Sequence, residues 1–319
     1  MPYDVLRHYW HPVAAVDELG NKPFGVQLLD ERVVVYRAKD RIVAFKDLCI
    51  HRGTPLSLGR IDDGTLVCAY HGWTYASDGA CVRIPSLGPG QSIPAKARVT
   101  VYQTETRYGL VWVCLDEPQA PIPEYPAVED PALYTMLVKF GIWETSGGRM
   151  IENFADFSHF AFVHPGLNGT PDDPVAPQYQ VERRGSELHY TVHLPGDFGV
   201  GSWGTVEHHY RIVPPFSIQL TRNMSEGRRY VLTLLVQPVS AKKIRRFLFI
   251  SRNYDMDESH DQQVQDYLKV VTAQDRAILE QQRPEELPID LSEEFHLRGP
   301  DAASLAYRRL LAEIGVKEP

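Results

Sequence analysis

Apolar and polar positions fall into two regimes along the chain. Up to residue 118, β-branched and aromatic residues come in short runs between charged turns, as in Val33-Val34-Val35-Tyr36, Arg41-Ile42-Val43-Ala44-Phe45 and Leu110-Val111-Trp112-Val113-Cys114-Leu115. Such runs predict strands. Asp62-Asp63-Gly64 and Ser77-Asp78-Gly79 predict tight turns among them. Prolines 118, 121, 123, 126 and 131 then follow closely. So many fixed φ angles predict a semi-rigid linker over 119–133, dividing an all-β domain, 1–118, from a second domain, 134–319.

In the second domain, Tyr134–Trp143 reads as a strand. Tyr179–Arg183, Glu187–Leu194, Thr205–Val213, Phe216–Arg222, Tyr230–Val236 and Ile244–Tyr254 predict the strands of one antiparallel sheet. From Glu258 to Gln282 the pattern changes period: Val264, Leu268, Val271, Asp275 and Ile278 recur in steps of four, three, four and three, which predicts a long helix. Ala302–Ile314 predicts a terminal amphipathic helix. The fold class is therefore α+β. The Gly-, Pro- and Asp-rich 165–177 segment suits a lid over a pocket and a solvent loop equally well.

Composition is that of a globular protein, 43% hydrophobic and 23% charged. The net charge of −8 is uneven: residues 1–118 carry 13 basic against 13 acidic side chains, leaving 20 against 28 for the rest. No basic stripe of the kind nucleic acid requires is present. No run of eighteen apolar residues predicts a membrane span, and the first ten residues lack the apolar core of a secretion signal, so the expected location is the cytoplasm.

Candidate chemistry concentrates first in Cys49-Ile50-His51-Arg52-Gly53 and Cys68-Ala69-Tyr70-His71-Gly72-Trp73. Two thiolates and two imidazoles suit zinc or an iron–sulfur centre. A Cys2His2 zinc site usually pairs Cys with Cys and His with His, whereas here each arm contributes one of each. These arms, with Leu56, Gly59, Tyr75 and Gly79, resemble the Rieske segment of ring-hydroxylating oxygenases. The resemblance implies a [2Fe–2S] cluster with one iron on Cys49 and Cys68 and the other on His51 and His71. Ile50 and Ala69 stand where that family often has proline. Thr54, Tyr70 and Trp73 occupy the positions of the extra cysteines and the serine of respiratory Rieske proteins. Without that serine donor, a potential toward the lower part of the Rieske range is expected. Cys81 and Cys114, in strand-like sequence, are expected as buried thiols.

The second concentration is Asn153-x-x-Asp156-x-x-His159-x4-His164-Pro165. A helix from Asn153 would put Asp156 and His159 on one face, and Pro165 would turn His164 back toward them. Taken alone, two histidines near a carboxylate are more often core residues satisfied by hydrogen bonds than ligands. Behind a Rieske segment, however, two His and one carboxylate suggest the facial triad of a mononuclear iron. Asp275 supplies a carboxylate on the apolar stripe, where it must be paired or bind a metal. Asp261 lies on the same stripe, but in a first turn that the helix dipole already explains.

The motif resembles that of Rieske non-heme iron oxygenases, the vanillate demethylase, dicamba monooxygenase and phthalate dioxygenase branch above all. The resemblance implies an antiparallel sheet wrapped round a long helix, with His159, His164 and Asp275 as ligands of a mononuclear Fe(II). It further implies that Asp156 relays electrons from the cluster, bridging His51 or His71 of one subunit to His159 of the next. The implied partners are a small, aromatic substrate, dioxygen, and a ferredoxin or flavin reductase using NAD(P)H. A homotrimer passing electrons between subunits is implied as well. The Asn-x-x-Asp spacing favours monooxygenation or oxidative demethylation over ring cis-dihydroxylation. A non-enzymatic Rieske electron carrier would need none of the second domain. Substrate candidates are Asn153, His208, His209, Arg222, Asn223, Arg252 and Asn253, but strand register decides which face inward.

Overall fold

A computed structural model describes residues 3–88, 90–167, 172, 174–196 and 204–317. The chain separates into two compact units, one over Leu6–Ile122 and the other from Pro123 onward, joined by the first residues through Val5.

The first unit is built from strands, as the short β-branched runs predict. Six of them, β1 (His11–Ala15), β2 (Phe24–Leu28), β3 (Glu31–Ala38), β4 (Arg41–Lys46), β9 (Val101–Arg107) and β10 (Leu110–Cys114), form a sheet in the order β1-β10-β9-β4-β3-β2. Between β4 and β9 the chain makes a smaller sheet of β5 (Arg60–Asp62), β6 (Thr65–Val67), β7 (Thr74–Tyr75) and β8 (Cys81–Arg83). Alternation along β3 sends Val34 and Tyr36 into a core shared with Cys49, Leu56, Cys68 and Tyr75, and Val33 and Val35 into a second core with Val111 and Val113. The Cys-His arms thus rest on a packed base. All four cysteines are buried and none is in a disulfide.

The proline-rich segment is packed rather than a bare spacer. Ile122 and Tyr125 are buried, the Tyr125 hydroxyl donates to Ser217 Oγ at 2.6 Å, and Pro126–Glu129 forms a short helix, α1, with proline at its start.

The second unit is a seven-stranded antiparallel sheet: β11 (Tyr134–Lys139), β12 (Glu182–Arg184), β13 (Glu187–Gly196), β14 (Gly204–Val213), β15 (Ser217–Asn223), β16 (Arg229–Ser240) and β17 (Lys243–Arg252). Their order is β11-β17-β16-β15-β14-β13-β12. The strand expected at Tyr179–Arg183 pairs only from Glu182. Tyr179 is drawn into packing against Phe157 and Tyr190, and its hydroxyl donates to the Pro300 carbonyl.

Four helices follow the start of this sheet: α2 (Gly147–Ala155), α3 (Phe160–Val163), α4 (Asp261–Leu279) and α5 (Ala302–Glu313). The helix expected to run on from Asn153 is broken. It ends at Ala155, whose carbonyl accepts from the Tyr190 hydroxyl, and Asp156 is extended (φ −84°, ψ 134°). Asp156 Oδ1 accepts from Ser158 N at 2.7 Å, so its carboxylate caps the next turn instead of lying on a helix face. His164 is non-helical (φ −120°, ψ 48°), as a residue before proline should be.

On α4 the buried positions are Leu268, Asp275 and Leu279, while Ile278 is 50% exposed; the stripe closes with a step of four, not three. The start of α4 is tied to the sheet. Arg252, 1% exposed, donates to Asp261 Oδ1 at 3.0 Å and to the Asp255 and Asp257 carbonyls, and Tyr134 OH donates to Asp261 Oδ2 at 2.7 Å. The tie fixes the rotation of α4 and so the direction of Asp275. Removing one partner of a buried pair strands the other charge, so Asp261→Ala should destabilise the protein by about 3 kcal/mol or more in denaturant unfolding. Its Rieske absorption should be unchanged, because Asp261 lies in the second unit, whereas its hold on the mononuclear iron should weaken as α4 loses its anchor.

Candidate metal centres and substrate cavity

The two Cys-His arms are built alike. Gly53 N donates to the Cys49 carbonyl at 2.9 Å and Gly72 N to the Cys68 carbonyl at 3.1 Å. Both glycines have positive φ, +71° and +68°, which other L residues adopt only at a cost. Each turn brings its histidine round beside its cysteine. The His51 and His71 rings lie 4.6 Å apart, and Trp73 stacks on His51 at 4.6 Å. His51 Nδ1 is buried without a hydrogen-bond partner among the described residues, as a metal-ligating nitrogen would be in the free chain.

A single zinc ion fits poorly. Among the described residues, only His159, His164 and Asp275 bring three or more donor atoms within 4.8 Å of one another. The four Cys-His donors do not gather round one point, as four zinc ligands must, but they suit two irons set side by side. The expectation of a low potential took account only of the missing serine. It overlooked Tyr75, whose hydroxyl lies 3.1 Å from Cys49 Sγ and supplies a donor to a ligand sulfur. With a cluster on Cys49, a hydroxyl donor there would favour the reduced form and raise the potential from where the missing serine alone would leave it.

In the second unit the break at Asp156 and the proline turn at His164 bring both imidazoles to α4. His164 Nε2 lies 3.1 Å and His159 Nε2 3.5 Å from Asp275 Oδ1. Each ring's other nitrogen is held: His159 Nδ1 by Asp156 Oδ2 at 3.0 Å, His164 Nδ1 by Gln274 Oε1 at 2.8 Å. These partners fix the tautomers with both Nε2 atoms turned inward. Burial disfavours a charged His159, but hydrogen bonds to Asp156 and Asp275 outweigh it and hold its pKa up at about 9. Asp275, despite burial, is held well below the usual carboxylate range by the same two histidines. Two inward imidazoles and one buried carboxylate match the donor set of a divalent iron, with coordination positions left for dioxygen.

A cavity opens from this site between the sheet and α4. Register settles its lining. Tyr210 pairs with Leu220, Leu220 with Leu232, and Arg222 with Tyr230, placing these residues on the α4 side. Of the seven sequence candidates, Asn153 and Arg222 line the cavity and the other five do not. His209 lies one residue out of phase, on the opposite face against His189 and Thr191; Asn223 donates to Glu207 at an exposed position; Asn253 is engaged with Arg229 N and the Gly227 carbonyl. His208 is fully buried with Nδ1 on the Val206 carbonyl, and Arg252 clamps α4. Tyr210, Arg246, Tyr267 and Thr272 line the cavity without having been singled out from sequence. Gln274 could have been, as the neighbour of Asp275.

Residues 9–103 match the Rieske [2Fe-2S] domain and residues 143–316 the vanillate O-demethylase oxygenase C-terminal domain. The chain belongs to the Rieske non-heme iron oxygenases. It is 34% identical to methylxanthine N1-demethylase NdmA of Pseudomonas putida, over 98% of this chain and 90% of that one. It is 35% identical to methylxanthine N3-demethylase NdmB of the same organism, over 88% and 83%. The solved structure of NdmA with caffeine superposes with a TM-score of 0.88 at 32% identity, covering 98% of this chain and 92% of that one. Dicamba monooxygenase bound to dicamba shares the fold, with a TM-score of 0.81 over 97% of each chain at 24% identity.

The oxygenase thus carries a Rieske cluster, and its family uses a mononuclear iron with dioxygen; electrons come from a separate reductase or ferredoxin. No helix among the described residues is long and apolar enough to cross a membrane. Gln274 holds His164 Nδ1, so if His164 binds the iron, Gln274→Ala should weaken iron binding about 10- to 100-fold in a chelator competition, with the Rieske absorption intact.

Proposed function

We propose that this oxygenase oxidatively demethylates a small aromatic or heteroaromatic compound. One oxygen atom of O2 enters a C–H bond of an N- or O-linked methyl group, the carbon leaves as formaldehyde, and the other oxygen atom becomes water with two electrons and two protons from the reductase side. The observation that carries this reading is the site itself: an apolar, aromatic cavity ending on His159, His164 and Asp275. Likeness to two N-demethylases, and to the vanillate O-demethylase family over 143–316, supports removal of a methyl group. The Asn153-x-x-Asp156 spacing points the same way.

His159, His164 and Asp275 would hold the iron, which supplies the reducing power that activates dioxygen. The chain's own part is positioning. Asp156 and Gln274 keep the imidazoles oriented, and Phe154, Phe160, Tyr210 and Tyr267, which line the cavity, exclude water and bound the space for an aromatic ligand. Turnover of N-methylated and methoxylated aromatic compounds under 18O2 with a matching reductase should release formaldehyde in step with oxygen consumed. A dihydrodiol product without formaldehyde would establish ring cis-dihydroxylation instead.

The same reading gives Asp156 a second task. Its carboxylate holds His159 Nδ1 while its side chain stays partly exposed, so it can also accept a hydrogen bond from a Rieske histidine of a neighbouring copy in a homotrimer. Asp156→Ala, supplied with excess Fe(II) to offset a looser His159, should reach the full iron complement and show normal cluster reduction, while single-turnover reoxidation of the cluster slows about 10- to 100-fold. Loss of the mononuclear iron in that variant would make Asp156 a support of the metal and not a relay.

A further inference from the structure

Histidine rings face each other at both metal centres, His51 with His71 and His159 with His164. A third such pair, His189 with His209, has no part in either. It lies on the face of the sheet turned away from α4, where β13 and β14 run antiparallel with His189 opposite Arg211 and His209 opposite Thr191. Residues on that diagonal share a face, and long side chains reach across it. His189 Nδ1 and His209 Nε2 are 3.4 Å apart. That is long for a hydrogen bond between them. It matches the spacing of about 3.3 to 3.4 Å between two nitrogens on one tetrahedral zinc, given Zn–N bonds of about 2.0 to 2.1 Å.

The other nitrogen of each ring is held as those of metal-bound imidazoles are. Glu187 Oε2 lies 3.1 Å from His189 Nε2, and Arg211 donates to both oxygens of Glu187. The guanidinium holds the Glu187 pKa below its usual value. An ionised carboxylate there accepts from Nε2–H and leaves the Nδ1 lone pair turned toward His209. On the second ring Nδ1 lies 3.0 Å from Thr191 Oγ1, a hydroxyl able to accept its proton and leave Nε2 free. Burial, His189 and Arg184 lower the pKa of His209, so this ring is neutral at pH 7, the form that binds a metal. His209 is half-buried and Thr191 exposed, which leaves the pair open to ions in solution.

A third donor is close by. Glu182 of β12 pairs directly with His189, so its side chain stands on the same face, and its charge is felt by both imidazoles. Its carboxylate is engaged in an exposed ion pair with Arg184 at 2.8 Å, a contact that contributes little and is readily exchanged. β12 itself is three exposed residues at the edge of the sheet.

We propose that His189 and His209 bind Zn2+, that Glu182 turns from Arg184 to become the third protein ligand with water as the fourth, and that the ion pins β12 to the sheet. Imidazole and carboxylate donors in tetrahedral array suit zinc. The site is separate from both iron centres, and the inference does not rest on demethylation.

The test is dialysis of the iron-loaded, oxidised oxygenase against Zn2+, with iron and zinc counted afterwards. One zinc per chain should be gained with all iron retained, and zinc K-edge absorption should show two imidazoles and oxygen ligands. His209→Gln should bind zinc at least about 100-fold more weakly. Glu187→Gln, which removes only the group behind His189, should weaken it about 10- to 100-fold. In the natural protein zinc should slow amide exchange in β12 at least about threefold. Glu182→Gln should keep zinc on both imidazoles, bound more weakly, and lose that slowing. Iron content and Rieske absorption should match the natural protein in all three variants. No zinc uptake, replacement of iron by zinc one for one, or unchanged affinity in His209→Gln overturns the site. Exchange in β12 that zinc does not slow, or slowing that survives Glu182→Gln, overturns the third ligand and the pinning of β12.

Discussion

The placement of one carboxylate on the inner face of α4 governs the catalytic half of this protein. Asp275 Oδ1 is buried, and what approaches it is a pair of imidazoles. A carboxylate so placed cannot remain alone, because desolvation without compensation costs several kcal/mol. Everything around it acts to supply and hold that compensation. Arg252, Tyr134 and Asp261 fix the rotation of α4; Tyr190 takes the last carbonyl of α2; Asp156 caps the turn that carries His159; Pro165 turns His164 out of helical geometry. Each contact is modest. Together they leave three donor atoms within 4.8 Å.

The Rieske unit meets the same demand differently. Its Cys-His arms sit on two similar turns, each closed by a glycine with positive φ and anchored through a buried cysteine to a β core. Burying the sulfurs while keeping the imidazoles nearer the surface leaves an edge from which electrons can leave. The base of the site also brings the Tyr75 hydroxyl to 3.1 Å from Cys49 Sγ, where it would tune a bound cluster.

Much of this was legible in the sequence, and the reasons differ by element. The Cys-His arms were readable because ligand identity and spacing are local. The position of Asp275 was readable because an acid on an apolar stripe violates a periodic pattern. The break after Ala155 was not, since Asp156 acts through a cap that a helix-face argument treats as continuing helix. Nor was the cavity lining: His209 and Arg222 sit on neighbouring strands in similar patterns, and only pairing register sends one inward and the other out. Arg246 escaped notice because Arg245-Arg246 reads as a charged turn of strand, whereas the structure buries the second arginine beside Phe140 and Trp143.

The claim on which the rest depends is that Asp275 completes the mononuclear site. It is tested most directly by iron analysis and visible spectroscopy of Asp275→Ala, side by side with the natural protein. The account predicts one iron fewer per chain, an unchanged Rieske spectrum and no turnover. A variant that keeps its full iron content and normal rates would contradict it and would place the third ligand elsewhere.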